Sequence, residues 1–338
     1  MAGTPKRMNL VFLLLMTIIT RAQVISQTQP KNKMTDQINP LMCDPETGLC
    51  ELPEEKQHST AAPSVSAQKP LKIIYFTDPI CSSCWGIEPQ LRKLKMEYGH
   101  ITDVEYKMGG LLPDWSYNSG GISKPSDVAK HWDEVSVYYE MPIDGDLWIE
   151  DPLWSSFPPS VAFKAAQLQG HEKALLFLRN IREMVFLQKK NITKWEHLEK
   201  AAKHARLDVA IFRTDYHGVA KEHFDQDLRM TREWGVRGFP TLIMINAAGQ
   251  KEVIYGAKPY ETMENKILKL YPEASKAVVD RSWKSLFQHF NSLTVKEFSV
   301  LSGLDLIAAE QMLNDLAKNG EVEKYITKNG SIYRRIKV

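Results

Sequence analysis

Apolar residues crowd together in "LKIIYFTD" from Leu71, a run rich in β-branched and aromatic residues that predicts a buried strand. From Trp85 to Tyr98 they recur at helical spacing, Leu91, Leu94 and Met96 among them, and predict an amphipathic helix. "DVEYKMGGLL" predicts a second strand, and a strand-helix-strand unit of this length joins parallel strands through a right-handed crossover. Between residues 124 and 234 the period is helical throughout, in "SVAFKAAQLQG", "HEKALLFLRNIREMVFLQ" and "WEHLEKAAKHARLD". Strand character returns in "TLIMINAAGQKEVIYG", two apolar runs about an Ala-Gly turn, and "YETMENKILKLY" predicts a closing helix. This order describes an α/β sheet over residues 71–272 that carries a large helical insertion.

The pattern changes near residue 273. Three short amphipathic segments, "DRSWKSLFQHFNSL", "TVKEFSVLSG" and "DLIAAEQMLNDLAKNG", precede a hairpin turning at Asn329-Gly330, which predicts a winged-helix-like unit over 273–338. Residues 23–70 are polar and lack periodic apolar positions, as a flexible segment would. Within residues 1–22, "LVFLLLMTII" is too short to span a bilayer but suits the core of a signal peptide, with Lys6 and Arg7 before it and Ala22 after it. A start at Met34 fits equally well, so the compartment stays open: cell envelope or secreted from Met1, cytoplasmic from Met34.

With 338 residues, 43% of them hydrophobic, the chain can bury a full core, and a net charge of +2 makes no case for a nucleic-acid binder. The third C-terminal helix would be the recognition helix of a DNA-binding winged helix. There Asp305, Glu310 and Asp315 outnumber Lys318, a balance that opposes phosphate contact, although the hairpin carries Lys324, Lys328, Arg334, Arg335 and Lys337. A protein partner is the expectation for this unit.

Two of the four cysteines, Cys81 and Cys84, stand where the first strand gives way to the helix. A helix start offers unpaired N–H groups and the positive end of its dipole, which stabilise a thiolate at Cys81 and leave Cys84 as the resolving thiol. A CxxC is also half of a zinc site, but no second CxxC or CxxxH follows at finger spacing, and no histidine stands at metal-ligand spacing. Thiol-disulfide exchange is therefore the expected chemistry, with no metal or cofactor. Pro240, after Phe239 and before an apolar run, suits a cis X-Pro bond whose loop leaves the Phe239 backbone free to pair with an extended client.

"FTDPICSSCW", a helical insertion of this size and "GFPT" together resemble the DsbA-like branch of the thioredoxin superfamily, over about residues 71–271. Within that branch, "FTDP", the CxxC and the residues that follow, "WGIEPQLRKLKMEYG", look most like bacterial dithiol proteins related to the Spx adaptor of the ClpXP protease. The resemblance implies a thioredoxin fold and exchange chemistry for Cys81, Cys84 and Pro240. It leaves open an oxidoreductase or isomerase acting on protein thiols and, alternatively, a redox-responsive adaptor that delivers a client protein. Ser82 and Ser83 stand where DsbA-type oxidants often carry Pro-His, so a less oxidising disulfide is expected, with serine hydroxyls available to the sulfur.

Phe239 and Trp85 are candidates for client contact, and Asp78 and Glu88 for moving a proton to or from Cys84; each also has a simpler use in a turn, a helix start or the core. "CDPETGLC" places Cys43 and Cys50 about a Pro- and Gly-containing turn, as a disulfide loop, half of a metal site or a redox shuttle. As a shuttle it would reach the site on a flexible linker of about 20 residues spanning roughly 25 Å. The expected partners are client proteins with thiols or disulfides, and a redox partner.

Overall fold

The computed structural model describes residues 43–44, 48–51, 69–116 and 124–336. The signal-like run, the Met34 start, Lys337 and nearly all of the linker lie outside the described residues. Among those described, no helix is long and apolar enough to cross a membrane.

The chain opens with two short strands, β1 (Cys43–Asp44) and β2 (Leu49–Glu51), paired antiparallel. Strand β3 (Leu71–Thr77) follows and is covered on both faces, which its nearly unbroken apolar run requires. The helix expected over Trp85–Tyr98 is two helices, α1 (Ser82–Gly86) and α2 (Glu88–Tyr98), parted at Ile87. Pro89 is the cause: it has no N–H to give the Trp85 carbonyl, so the first helix ends there and Pro89 opens the second. Strand β4 (Thr102–Met108) also stops four residues earlier than its apolar run, because Gly110, at φ +73°, turns the chain away from the sheet.

The insertion comprises α3 (Pro125–Tyr139), α4 (Leu147–Glu150), α5 (Phe157–Leu168), α6 (His171–Leu187), α7 (Trp195–His204), α8 (Val209–His217) and α9 (Ala220–Glu233). Then come β5 (Gly238–Phe239), β6 (Thr241–Asn246), β7 (Lys251–Tyr255) and α10 (Tyr260–Leu270). The main sheet has the order β4-β3-β6-β7, with β3 parallel to β4 and antiparallel to β6, and β7 antiparallel to β6. The C-terminal segment follows as α11 (Trp283–His289), β8 (Ser292–Thr294), α12 (Val295–Ser302), α13 (Leu306–Lys318), β9 (Val322–Thr327) and β10 (Gly330–Arg335). Its sheet runs β8-β10-β9 around a small core of its own that includes Leu286, Leu293, Phe298, Leu313 and Tyr333. The pattern had not shown β8, a three-residue strand too short to register as a period.

A buried carboxylate ties this segment to the rest. Glu297 closes a capping box with Thr294 at the start of α12, and its two oxygens also take Arg179 of α6 at 2.7 and 3.0 Å. Arg92 of α2 reaches the same carboxylate at 3.3 Å and donates to the Ser292 carbonyl. Burial alone would raise the Glu297 carboxyl, but the two guanidinium groups reverse this and hold it below its ordinary 4.5. A depressed value means that this stabilisation is present above pH 4.5 and is lost as the pH falls through the lower folded value.

Removing one partner of such a group leaves buried charge uncompensated. Glu297→Ala is expected to cost about 3–5 kcal/mol in urea unfolding at pH 7. The gap from the parent narrows as the pH falls below 4.5 through the depressed folded value. A loss below about 1 kcal/mol at pH 7 would show that the tie is surface-like.

Candidate dithiol site

Cys81 is the N-cap of α1. Its extended backbone (φ −73°, ψ 110°) directs Sγ back over the first turn, where the Cys84 N–H donates to it at 3.1 Å. Cys81 and Cys84 are free thiols and both are fully buried. Phe239–Pro240 is a cis peptide bond, as expected, and it follows β5 immediately.

The cover over Cys81 comes from the N-terminal cysteine pair. Strand β2 pairs antiparallel with β5, Cys50 opposite Phe239 and Glu51 opposite Gly238, so it lies along the backbone expected to receive a client. Cys50 is disulfide-bonded and its Sγ is 3.3 Å from that of Cys81; the Cys43 backbone stands opposite Cys50 in the β1–β2 ladder. Gly48 completes the seat. It adopts φ +67°, accepts a 2.7 Å hydrogen bond from the Ala257 N–H, and sits so close that a Cβ would lie 2.7 Å from the Ala257 nitrogen.

This cover changes the electrostatics expected from a helix start. Burial pushes the Cys81 thiol well above the ordinary value, reinforced by Cys84 and by the nearby Asp78. Burial also acts to raise Cys84. There it is outweighed by the hydrogen bond from Cys81, the charge of Arg182, the Thr77 hydroxyl and an Asp78 backbone hydrogen bond, and Cys84 falls below the ordinary thiol value. In this closed arrangement Cys84 is lowered and Cys81 is raised, whereas the helix-start argument lowers Cys81. One N–H bond from a five-residue helix does not compensate for dehydration.

Asp78 is fully buried and accepts from the Ile80 N–H at 3.0 Å, the Leu111 N–H at 2.8 Å and Ser156 Oγ at 2.9 Å. Burial nonetheless raises its carboxyl to about 6. Glu88 is committed elsewhere, between Arg182 at 2.5 Å and Arg92 at 3.8 Å, so its oxygens serve charge pairing rather than a thiol. Trp85 does not face a client: it is fully buried, stacked on Phe186 at 5.5 Å, with Arg179 4.5 Å from the centre of its ring and its indole N–H given to the Pro142 carbonyl. The Phe239 ring is buried as well, against Gly109, where a Cβ would come within 1.7 Å of it; only its backbone joins the groove, and β2 occupies that. The Ser83 hydroxyl pairs with Tyr139 at 2.9 Å instead of serving a sulfur.

Sequence reasoning missed Arg182, which donates to Thr77 Oγ1 at 2.7 Å and to Glu88 from behind the dithiol. Its signal was there: Leu178, Arg182 and Phe186 form an i, i+4, i+8 row, which puts a guanidinium on the apolar face of α6. The hairpin cations are also committed within the chain. Lys328 binds Asp133 and Asp146 at 2.6 and 2.7 Å, Arg334 binds Glu183 at 3.2 Å, and Lys324 binds Asn314 at 2.8 Å. Among the described residues no group of three or more His, Cys, Asp or Glu side chains is placed to hold a metal ion.

A model of the Thioredoxin family matches residues 75–265. A protein of known structure from Nitrosomonas europaea, described as a disulfide isomerase, superposes with a TM-score of 0.52 over 60% of this chain and all of its own, at 20% identity, which shows the shared fold. The ClpXP adapter protein SpxH of Halalkalibacterium halodurans is 34% identical over 307 residues, covering 88% of this chain and 97% of that protein. SpxH of Bacillus subtilis is 29% identical over 274 residues, 80% of this chain and 90% of its own. The match to the Thioredoxin family, together with 34% identity along nearly the whole length of a SpxH adapter, makes this chain a member of the SpxH family.

Proposed function

We propose that the chain is a redox-responsive protein adaptor of the SpxH kind, which delivers a client to ClpXP and carries a working dithiol. The observation that carries this reading is the match over 97% of the length of a SpxH adapter and 88% of this chain. The helix order of that segment and its β8-β10-β9 sheet support reading residues 273–338 as a winged-helix-like unit. Two considerations favour a protein partner over DNA. Lys328 and Arg334 of its hairpin are paired with carboxylates within the chain, and Ile307 and Ile326 are 82% and 72% exposed on its surface.

A route for the redox response is supported by the chain of buried ion pairs. Arg182 contacts Thr77 beside the dithiol and pairs with Glu88; Glu88 pairs with Arg92; Arg92 and Arg179 converge on Glu297 of α12. A change of charge at Cys84 alters what Arg182 must balance, and the change is felt along elements that pack rigidly. The test is reconstituted degradation of a client by ClpXP with this chain in two states. Delivery is expected to differ at least severalfold between the Cys81/Cys84 dithiol and disulfide forms, and Cys81→Ser/Cys84→Ser is expected to deliver without responding to oxidant. No acceleration in either state would remove the adaptor reading.

The second reading, a thiol-disulfide oxidoreductase or isomerase, is favoured by the intact CxxC cap beside the Phe239–Pro240 loop. Here Cys81 attacks a client disulfide and Cys84 resolves the mixed disulfide. Cys84→Ser is then expected to accumulate client mixed disulfides that Cys81→Ser does not form. Turnover of a model disulfide no faster than that of the double serine variant would leave the adaptor reading alone.

Under either reading we take Asp78, whose charge acts on Cys81, as the group that takes up a proton when the thiols exchange. As an acid with a raised folded value it favours the fold when protonated: that stabilisation is complete below 3.8 and is lost as the pH rises through about 6. Exchange that uses its anion runs the opposite way. The single-turnover rate is expected to rise with pH through an inflection near 6 that Asp78→Asn abolishes. An identical profile in the variant would make Asp78 a structural residue of the loop.

A further inference from the structure

The N-terminal hairpin does more than lie near the dithiol. It takes the place of an extended client, adding a strand to β5, and it sets a disulfide-bonded sulfur against the expected nucleophile. Leu49 and Cys50 are buried, and the Gly48–Ala257 contact fixes the strand on its other side. A separation of 3.3 Å is near-attack distance for sulfur on sulfur.

We propose that Cys50, whose partner among the four cysteines must be Cys43 because Cys81 and Cys84 are free, carries a disulfide that is a resident substrate of the Cys81/Cys84 dithiol, and that the seat of β2 on β5 gates the access of external disulfides to Cys81. The proposal rests on the dithiol being competent for exchange. The Cys81 thiol gives up its proton as its sulfur attacks Cys50 Sγ, the Cys43–Cys50 bond breaks, and Cys43 leaves as the thiolate and takes that proton. Cys84 then attacks Cys81 Sγ, a bond forms between them, and Cys50 leaves as the second thiolate and is protonated in turn. Two electrons and two protons pass from the Cys81/Cys84 pair to the hairpin, one disulfide replaces another, and no outside oxidant is needed. Because both pairs belong to one chain, the step is first order and independent of protein concentration. The structure corresponds to the state before exchange, with the dithiol free and Cys50 bonded.

Burial of Cys81 has a plain use in this arrangement. An enzyme thiol open to any disulfide would react without selection, whereas here an incoming strand must first displace β2 from Phe239. A hairpin seated about nine-tenths of the time slows outside attack about tenfold.

The full-length chain tests this with two substitutions. Cys84→Ser blocks resolution, so a Cys50–Cys81 cross-link is expected in the monomer, in a yield independent of protein concentration and identified by peptide mass spectrometry. Gly48→Val puts a branched side chain at a left-handed position against Ala257 and unseats the strand while keeping every cysteine. In the Cys84→Ser background it is expected to lower the cross-link severalfold and to raise alkylation of Cys81 by iodoacetamide about tenfold. Absence of the cross-link, or alkylation unchanged by Gly48→Val, would overturn the proposal. Failure of the underlying dithiol reading looks different: neither the parent nor Gly48→Val alone would then exchange with an external disulfide, even where Cys81 alkylates freely.

Discussion

The carboxylate of Glu297 is the point on which the parts of this molecule converge. It caps its own helix and accepts Arg179 from the insertion and Arg92 from the helix behind the dithiol, the carboxylate fully buried and the two arginine side chains about a tenth exposed. Two guanidinium groups in an apolar interior are tolerable only with compensating negative charge, and Glu88 and Glu183 share that task with Glu297. Arg179 also covers one face of Trp85, the residue next to Cys84. The place of the C-terminal segment, the packing of the insertion and the environment of the active helix are thus coupled through one charge balance, which separate contacts such as Lys328 with Asp133 and Asp146 reinforce.

The dithiol lives under the opposite constraint. It is dehydrated by β2 and supported from behind by a single cation, Arg182, so charge favours Cys84 while geometry offers Cys81 to Cys50. Moving β2 away would rehydrate Cys81 and return to it the helix-start advantage that the cover suppresses. Occupancy of one short strand edge therefore decides which sulfur is reactive and whether an outside chain can reach it.

Much of this was legible beforehand because periodicity is a local property. The β3-helix-β4 unit, the helical insertion, the β6–β7 hairpin and the C-terminal helices all follow from the spacing of apolar residues, and the CxxC and GFPT stretches mark the site. What escaped reading depends on partners distant in sequence. Trp85 occupies a position that either a client or the core could use, and only Phe186 and Arg179, about a hundred residues on, decide for the core. Glu88 suited either a proton carrier or a helix start, and the pairing with Arg182 from a distant helix is what its position alone did not state. The Cys43 and Cys50 pair could be given a reach from linker length, but no pattern in eight residues states that Cys50 will pair with Phe239.

The central claim is that β2 is held on β5 in the resting chain. Amide hydrogen exchange of the full-length protein, read over residues 48–51 and 238–239, measures this directly. Slow exchange in both segments, with protection lost over 48–51 but kept over 238–239 when an excess of a client-like disulfide peptide takes the place of β2, is what the account predicts. Exchange over 48–51 as fast as in an unstructured peptide, with Cys81 and Cys84 reduced and Cys50 in its disulfide, would contradict it.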